Sequence, residues 1–239
     1  MTIAPNKTSS ENNSNDLKKD EFPLTAPAAY PVFFRSYSRK KTNGERENWS
    51  EVGERNLSGL QKLGNLNKDE LTLMKEMQKN QKAQPSGRWL WIGGTPWINK
   101  NENFSGAYNC TSTNLVDWEA FALMMDLAMM GCGTGAIIEP RFIEKLPVIR
   151  NKLNIKSISE VGITPKDKRQ EKSTIEIKDN NIFIKVGDSR RGWVDSYKYL
   201  LEASSDKNLD KEINININLE DIRPAGESLK GFGGMANPV

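Results

Sequence analysis

The seven residues Ile213-Asn214-Ile215-Asn216-Ile217-Asn218-Leu219 alternate apolar and polar without a break. A period of two sends every isoleucine to one side of the backbone and every asparagine to the other, which a helix cannot do. The spacing therefore predicts a strand with one polar face. Upstream, Thr174-Ile175-Glu176-Ile177 and Ile182-Phe183-Ile184 alternate around Asp179-Asn180-Asn181, which predicts a hairpin over 173–186. Between hairpin and strand, 192–203 reads as a helix.

The earlier half of the chain is written in helical period. Asn48 is a candidate N-cap with Glu51 at the third helical position. Trp49, Val52, Leu57, Leu60 and Leu63 then form an apolar stripe that ends at Gly64. A second helix is expected from Asn67 or Lys68 to about Lys79, carried by Leu71, Met74 and Met77. Residues 116–130 are apolar nearly all round, which predicts a fully buried helix. That helix stops at Gly131-Cys132-Gly133-Thr134-Gly135, and Ala136-Ile137-Ile138 is expected to be a short strand. Leu146, Val148, Ile149 and Leu153 suggest a short helix. Residues 1 to about 27 form a polar, low-complexity leader expected to be disordered, with order beginning near Tyr30.

Composition excludes several chemistries. The chain has no histidine, so Ser-His-Asp and Cys-His nucleophiles, His-ligated metals and His general bases are absent. Its two cysteines, Cys110 and Cys132, are too few for a structural zinc site. The net charge of +3 is too small to make nucleic acid or an anionic membrane the main partner. No apolar run reaches membrane-spanning length, and the leader lacks an apolar signal core. These features imply no membrane partner and a reducing cytoplasm, leaving thiol chemistry, carboxylate chemistry or binding.

Taken one at a time, the motifs leave alternatives open. Cys110 lies in the polar stretch Tyr108-Asn109-Cys110-Thr111-Ser112-Thr113-Asn114. It is either an accessible thiol or an ordinary small residue at a strand end. Cys132, between two glycines, reads as a small packed residue at a helix C-terminus. The glycines 131–135 follow a helix and precede a strand, the reverse of the order in phosphate-binding glycine loops. Arg223 and Lys230 stand on a loop after a strand, as flexible cations suited to a polyphosphate or as a solvated surface. The stretch 141–172 has nine Lys and Arg against four Asp and Glu. Without interleaved aromatics it reads as a solvated surface, and no specific nucleic acid is expected.

Read together, the motifs are more informative. Tyr37-Ser38-Arg39, Arg46-Glu47-Asn48-Trp49, Pro85-Ser86-Gly87-Arg88-Trp89-Leu90-Trp91, Asn109-Cys110, Gly131-Cys132-Gly133-Thr134-Gly135, Asp188-Ser189-Arg190-Arg191-Gly192-Trp193 and Ile222-Arg223-Pro224-Ala225-Gly226 with Gly231-Phe232-Gly233-Gly234 follow in this order. The series resembles the N-terminal part of the class II, adenosylcobalamin-dependent ribonucleoside-triphosphate reductases, the monomeric branch in particular, over about Tyr30 to Val239.

The resemblance implies an α/β fold: the first part of a ten-stranded α/β barrel, with a helical N-terminal segment and an α+β insertion. The organisation it implies is a leader at 1–29, a helical segment at 30–84, and barrel at 85–239 with an effector-binding insertion at about 138–221. It implies ribonucleotide reduction by a cobalamin-initiated thiyl-radical mechanism. Cys110 becomes the N-terminal member of the redox pair, its partner downstream of Val239. Ser86, Asn109, Gly133 and Gly135 become substrate-cradling positions. Asp117, Arg223 and Lys230 become effector-binding positions. The implied partners are a ribonucleoside triphosphate substrate, a deoxynucleoside triphosphate effector and thioredoxin. The cofactor is adenosylcobalamin, its site mostly outside this chain. No role falls to Cys132 and no residue becomes a metal ligand. The chain is then expected to be an incomplete piece, inactive by itself. A catalytically silent deoxynucleotide-binding protein of the same fold is the alternative.

Overall fold

The computed structural model describes Phe22 and residues 27–209, 211–231 and 233–237. Most of the expected leader lies outside the described residues. The chain divides into two compact units at Gly94/Thr95.

The first unit is helical: α1 (Ala29–Ser36), α2 (Trp49–Gly64), α3 (Lys68–Lys79) and α4 (Gly87–Ile92). Both long helices start as the sequence predicts. The Asn48 side chain accepts from the Glu51 backbone N–H while the Glu51 carboxylate accepts from that of Asn48, and Asn67 and Glu70 repeat the reciprocal pair on α3. Phe22, Phe33, Trp49, Val52 and Leu90 form the core, so Phe22, within the stretch expected to be leader, is a packed residue. Each such side chain contributes about 1.5–3 kcal/mol on burial. Arg55 ties the unit together through Glu47 (2.7 Å from Nε) and the carbonyls of Gly93 (2.6 Å) and Leu90 (3.1 Å).

The second unit opens with β1 (Cys110–Asn114), α5 (Trp118–Met129) and β2 (Gly133–Ile137), with β1 and β2 parallel. A helical crossover between parallel strands is the building block of an α/β sheet. Two expectations need correction here. The strand begins at Gly133 rather than Ala136 and ends at Ile137, because the Gly133 N–H is drawn onto the Asn109 carbonyl (2.8 Å) and so joins the ladder. Helix α5 is not fully buried: Leu123 and Met129 are exposed, and burial falls on Trp118, Ala120, Ala122 and Leu127.

After the short α6 (Pro140–Ile143), β3 (Lys152–Ser157), β4 (Thr174–Lys178), β5 (Asn181–Lys185) and β6 (Glu212–Asn218) form one sheet in the order β3-β6-β5-β4. The central strand β6 runs parallel to both neighbours, and β4 pairs antiparallel with β5 through the predicted hairpin. The helix expected over Leu146 to Leu153 is absent. Leu153 instead sits in β3 opposite Ile213, because the short apolar run finds an open edge of the sheet. The isoleucine face of β6 packs with Ile182 and Ile184 into the core, along with Val186, Ala203 and Ile222. Helix α7 (Arg190–Ser205) is capped by the Ser189 hydroxyl, which accepts from the Gly192 N–H. It packs on α5, with the Trp118 indole donating to Ser205 Oγ (2.8 Å) and Lys198 paired to Glu119.

Candidate functional site

Two places in the second unit gather the residues singled out by sequence. The first is the start of the β1–β2 pair. Cys110 is the first residue of β1 and its thiol is free and exposed. Its partner across the ladder is Gly133, and Ser112 faces Gly135 two residues on. Cys110, Ser112 and Asn114 are exposed in alternation, so they share one face of β1. On the adjacent strand that face carries glycine hydrogens opposite Cys110 and Ser112 and the Ile137 side chain opposite Asn114. A Cβ at Gly133 would lie 3.6 Å from the Cys110 sulfur, and one at Gly135 would lie 3.4 Å from the Thr111 carbonyl. Those are ordinary contacts, so the fold does not need glycine at either position. What the glycines provide is an open shelf beside the thiol. Asn109, exposed, precedes Cys110 at the same edge. Cys132 is different: it is buried, and its sulfhydryl donates to the Tyr108 carbonyl (3.2 Å). Of the two sulfurs, only Cys110 faces outward.

The second place is a cavity of about 370 Å³ at the N-terminus of α7, lined by Trp97, Asp188, Arg190, Trp193, Arg223 and Lys230 among others. Arg223 is not the flexible surface cation that the sequence suggests. It is buried, its Nε donates to the Asp188 carboxylate (2.8 Å), and its Nη1 donates to the Ser228 carbonyl (3.2 Å). Ile222 sinks into the sheet core and carries the next residue down with it. Lys230 is half-exposed and reaches Glu171 (2.8 Å) and the Asp188 carbonyl (3.2 Å). Its ammonium holds the Glu171 carboxyl below the usual glutamate range. Arg169, from the stretch expected to be a solvated surface, is buried beside Asp188 and pairs with Glu227 (2.9 Å). Arg190 pairs with Asp126. Each cation that lines the cavity thus already holds a carboxylate, Arg190 that of Asp126, Arg223 that of Asp188 and Lys230 that of Glu171, and an incoming anion competes with these carboxylates. Glu171, two-thirds exposed, is the one that solvent can receive.

The loop that carries Lys230 folds back on itself. Leu229 N–H donates to Gly234 O (3.0 Å) and Ala236 N–H to Glu227 O (2.8 Å), across a turn in which Gly231, Gly233 and Gly234 all have positive φ. Asp117 stands apart from this cavity. It caps α5, accepting from the Ala120 N–H (2.8 Å), whereas the cavity touches α5 at Met129. Twelve helical residues separate the two by about 18 Å. Ser86 belongs to the first unit, where its hydroxyl caps α4 by accepting from the Trp89 N–H (3.2 Å). Single-residue reasoning missed Asp188, the carboxylate that holds both cations. Its only sequence signal was its place at the head of Asp188-Ser189-Arg190-Arg191-Gly192-Trp193.

Among the described residues no group of three or more cysteine, aspartate or glutamate side chains could hold a metal ion. No helix among them is long and apolar enough to cross a membrane.

Comparison with known proteins adds the following. Residues 146–239 match the family model for the insertion domain of B12-dependent ribonucleotide reductase. The chain is 25% identical to the adenosylcobalamin-dependent ribonucleoside-triphosphate reductase of Lactobacillus gasseri, over 92% of this chain and 35% of that protein. It is 30% identical to a probable enzyme of the same name from Dictyostelium discoideum, over 85% of this chain and 27% of the relative. It is 26% identical to a putative one from Mycobacterium phage D29, over 88% and 31%. A crystal structure of a B12-dependent, class II ribonucleotide reductase superposes with a TM-score of 0.62 at 21% identity, covering 87% of this chain and 34% of the other. The likeness read from the ordered motifs is thereby shown, and so is the fold. The chain spans about a third of the length of the curated relatives it matches.

Proposed function

We propose that this chain, a relative of the adenosylcobalamin-dependent ribonucleoside-triphosphate reductases, serves ribonucleotide reduction by supplying one redox thiol and a nucleotide-phosphate pocket. The observation that carries the proposal is Cys110: a free, exposed thiol at a strand start, with a side-chain-free glycine directly across the ladder. The shelf over Gly133 and Gly135 gives a sugar room to approach the sulfur, and Asn109 and Ser112 stand beside it as hydrogen-bonding groups.

In the reduction the Cys110 sulfhydryl delivers its proton to the 2′-hydroxyl, which departs as water. The two electrons that replace the C–O bond come from Cys110 and a second thiol, which close a disulfide. Substrate and two thiols thus give deoxynucleotide, water and disulfide. Cys132 is a poor second thiol, because its sulfur is turned inward against Tyr108. Thioredoxin, a dithiol protein, is the reductant we propose for the disulfide. A corrinoid is far larger than the 370 Å³ cavity, so that cavity does not hold it. Adenosylcobalamin therefore enters as the cofactor in the relatives' names, and no step here passes through it. Arg223 and Lys230 receive the phosphates of a deoxynucleoside triphosphate effector, with the half-buried indoles of Trp97 and Trp193 as apolar walls.

The test is a chimera in which this chain replaces the matching third of the Lactobacillus gasseri relative. Thioredoxin-dependent reduction that is lost in Cys110→Ser, with nucleotide binding retained, is the expected result. A folded chimera that binds deoxynucleotides but never turns over would refute the redox role. It would favour a silent nucleotide-binding protein, a reading supported by Arg190, Arg223 and Lys230 lining one cavity.

A further inference from the structure

The four-stranded sheet ends on one side at β4, and every residue of that strand, Thr174–Lys178, is exposed. The hydrogen bonds of β5 fix what this edge offers. The Asn180 carbonyl accepts from the Asn214 N–H (2.9 Å) and the Val186 N–H donates to the Asn218 carbonyl (3.0 Å), so even-numbered residues here turn their backbone groups toward β6. Asn181, Phe183 and Lys185 therefore turn theirs toward β4, where they stand opposite Lys178, Glu176 and Thr174. The N–H and C=O groups of Ile175 and Ile177 are left pointing away from the sheet. An outward row of this kind is a template for another strand.

The side chains say which strand. Ile175 and Ile177 stand opposite Ile184 and Ile182, on the core face, yet they are 38% and 54% exposed. Glu176 and Lys178 share the other face, with Lys178 Nζ 3.3 Å from the Glu176 carboxylate. Consider a second copy of β4 laid antiparallel, with both core faces on the same side. With Ile177 on the two-fold axis, Ile177 meets its own copy through two backbone hydrogen bonds, and each Glu176 lies opposite Lys178 of the second copy. Moving the axis to Glu176 sets that carboxylate against its own copy. Moving it to Ile175 sets Lys178 against Lys172 of the second copy. Opposite charges across a pair of strands stabilise it and like charges destabilise it, so the edge is self-complementary in the first register alone of these three. The other edge of the sheet, β3, carries Lys152 and Lys156 and no carboxylate, so it lacks this complementarity.

We propose that β4 is a self-association edge, at which two copies of this chain pair β4 to β4 antiparallel about Ile177. Two four-stranded sheets then become one of eight, with two Glu176–Lys178 pairs across the joint. The Ile175 and Ile177 side chains of both copies gather on the shared core face. The joint involves neither Cys110 nor the cavity at Arg223, so it does not depend on the reductase reading. Its small area makes the dimer weak and concentration-dependent.

Sedimentation equilibrium of the full chain, from about 10 µM to about 1 mM, should show the mass rising from one chain toward two. Glu176→Lys and Lys178→Glu each set like charges opposite one another, and each alone should weaken association at least about tenfold. Mixed one to one, these two variants carry opposite charges at both positions and should associate as the parent does. The double exchange, Glu176→Lys with Lys178→Glu, should restore the dimer within a single chain type. All of these changes fall on exposed side chains, and circular dichroism checks that each variant is folded. A parent that stays monomeric at about 1 mM, single variants that associate like the parent, or a mixture and a double exchange that fail to recover would each overturn the proposal.

Discussion

Arg223 and Asp188 make the most exposing test of the cavity's construction. Asp188 is 4% exposed and Arg223 9%. One carboxylate oxygen of Asp188 accepts from Arg223 Nε (2.8 Å) and from the Arg223 backbone N–H (3.3 Å). The other lies 3.7 Å from Lys230 and 3.9 Å from Arg169. Among these three cations Arg223 alone hydrogen-bonds the Asp188 carboxylate, so Arg223→Ala removes that contact and also frees the Ser228 carbonyl. Breaking a buried pair from one side costs about 3–5 kcal/mol, and the two remaining cations reduce this to about 2–3 kcal/mol. With a urea slope of about 2 kcal/mol per molar, the unfolding midpoint should fall by about 1–1.5 M. The assay is urea denaturation followed by circular dichroism and tryptophan fluorescence on the parent, Arg223→Ala, Asp188→Ala and the double variant. Because the double variant leaves neither charge stranded, its loss should fall short of the sum of the singles by more than about 1 kcal/mol. A midpoint for Arg223→Ala within about 0.2 M of the parent, or strict additivity in the cycle, would refute the lock.

Three further outcomes are expected. Asn48→Ala removes one half of a reciprocal cap and should cost the first unit about 1 kcal/mol in urea denaturation. Burial opposes charge on Asp221, but hydrogen bonds from Thr164, the Gln170 N–H and Lys185 outweigh it and hold its carboxyl below the ordinary 3.8. Its stabilisation is therefore complete above that value and is lost as pH falls through the depressed folded one, so Asp221→Asn should flatten the acid limb of the stability curve while lowering the neutral plateau. Glu171→Gln keeps the shape but removes the charge that competes for Lys230. It should tighten deoxynucleoside triphosphate binding about two- to fivefold in calorimetry, as release of one exposed ion pair allows.

The elements written in strong local code were legible in the sequence: the capped starts of α2 and α3, the hairpin, α7 and the alternating strand β6. Misreadings fall where long-range pairing overrides local pattern. Leu153 belongs to a strand because β6 offers it an edge, and no periodicity within 146–153 announces that. Gly133 begins a strand because Asn109, twenty-four residues earlier, accepts its N–H. Helix α5 has apolar residues all round but buries only part of its surface among the described residues, so composition alone overstated its burial. For the site, the ordered motifs located Cys110, Gly133 and Gly135, which the structure joins, and Arg223 and Lys230, which share a cavity. Asp188 escaped because the buried partner of a cation is fixed by tertiary folding, not by spacing. The distance of Asp117 from that cavity likewise depends on which end of α5 meets α7's N-terminus.

The central claim is that the second unit receives nucleotide phosphates at Arg223 and Lys230. The most direct measurement is calorimetric titration of a deoxynucleoside triphosphate into the full chain and into Lys230→Ala, with the matching deoxynucleoside as control. The account predicts one site for the triphosphate, no measurable binding of the nucleoside, and about a five- to tenfold loss in Lys230→Ala from one charge-assisted contact. Equal affinity in parent and variant, or no binding up to millimolar nucleotide, would contradict it.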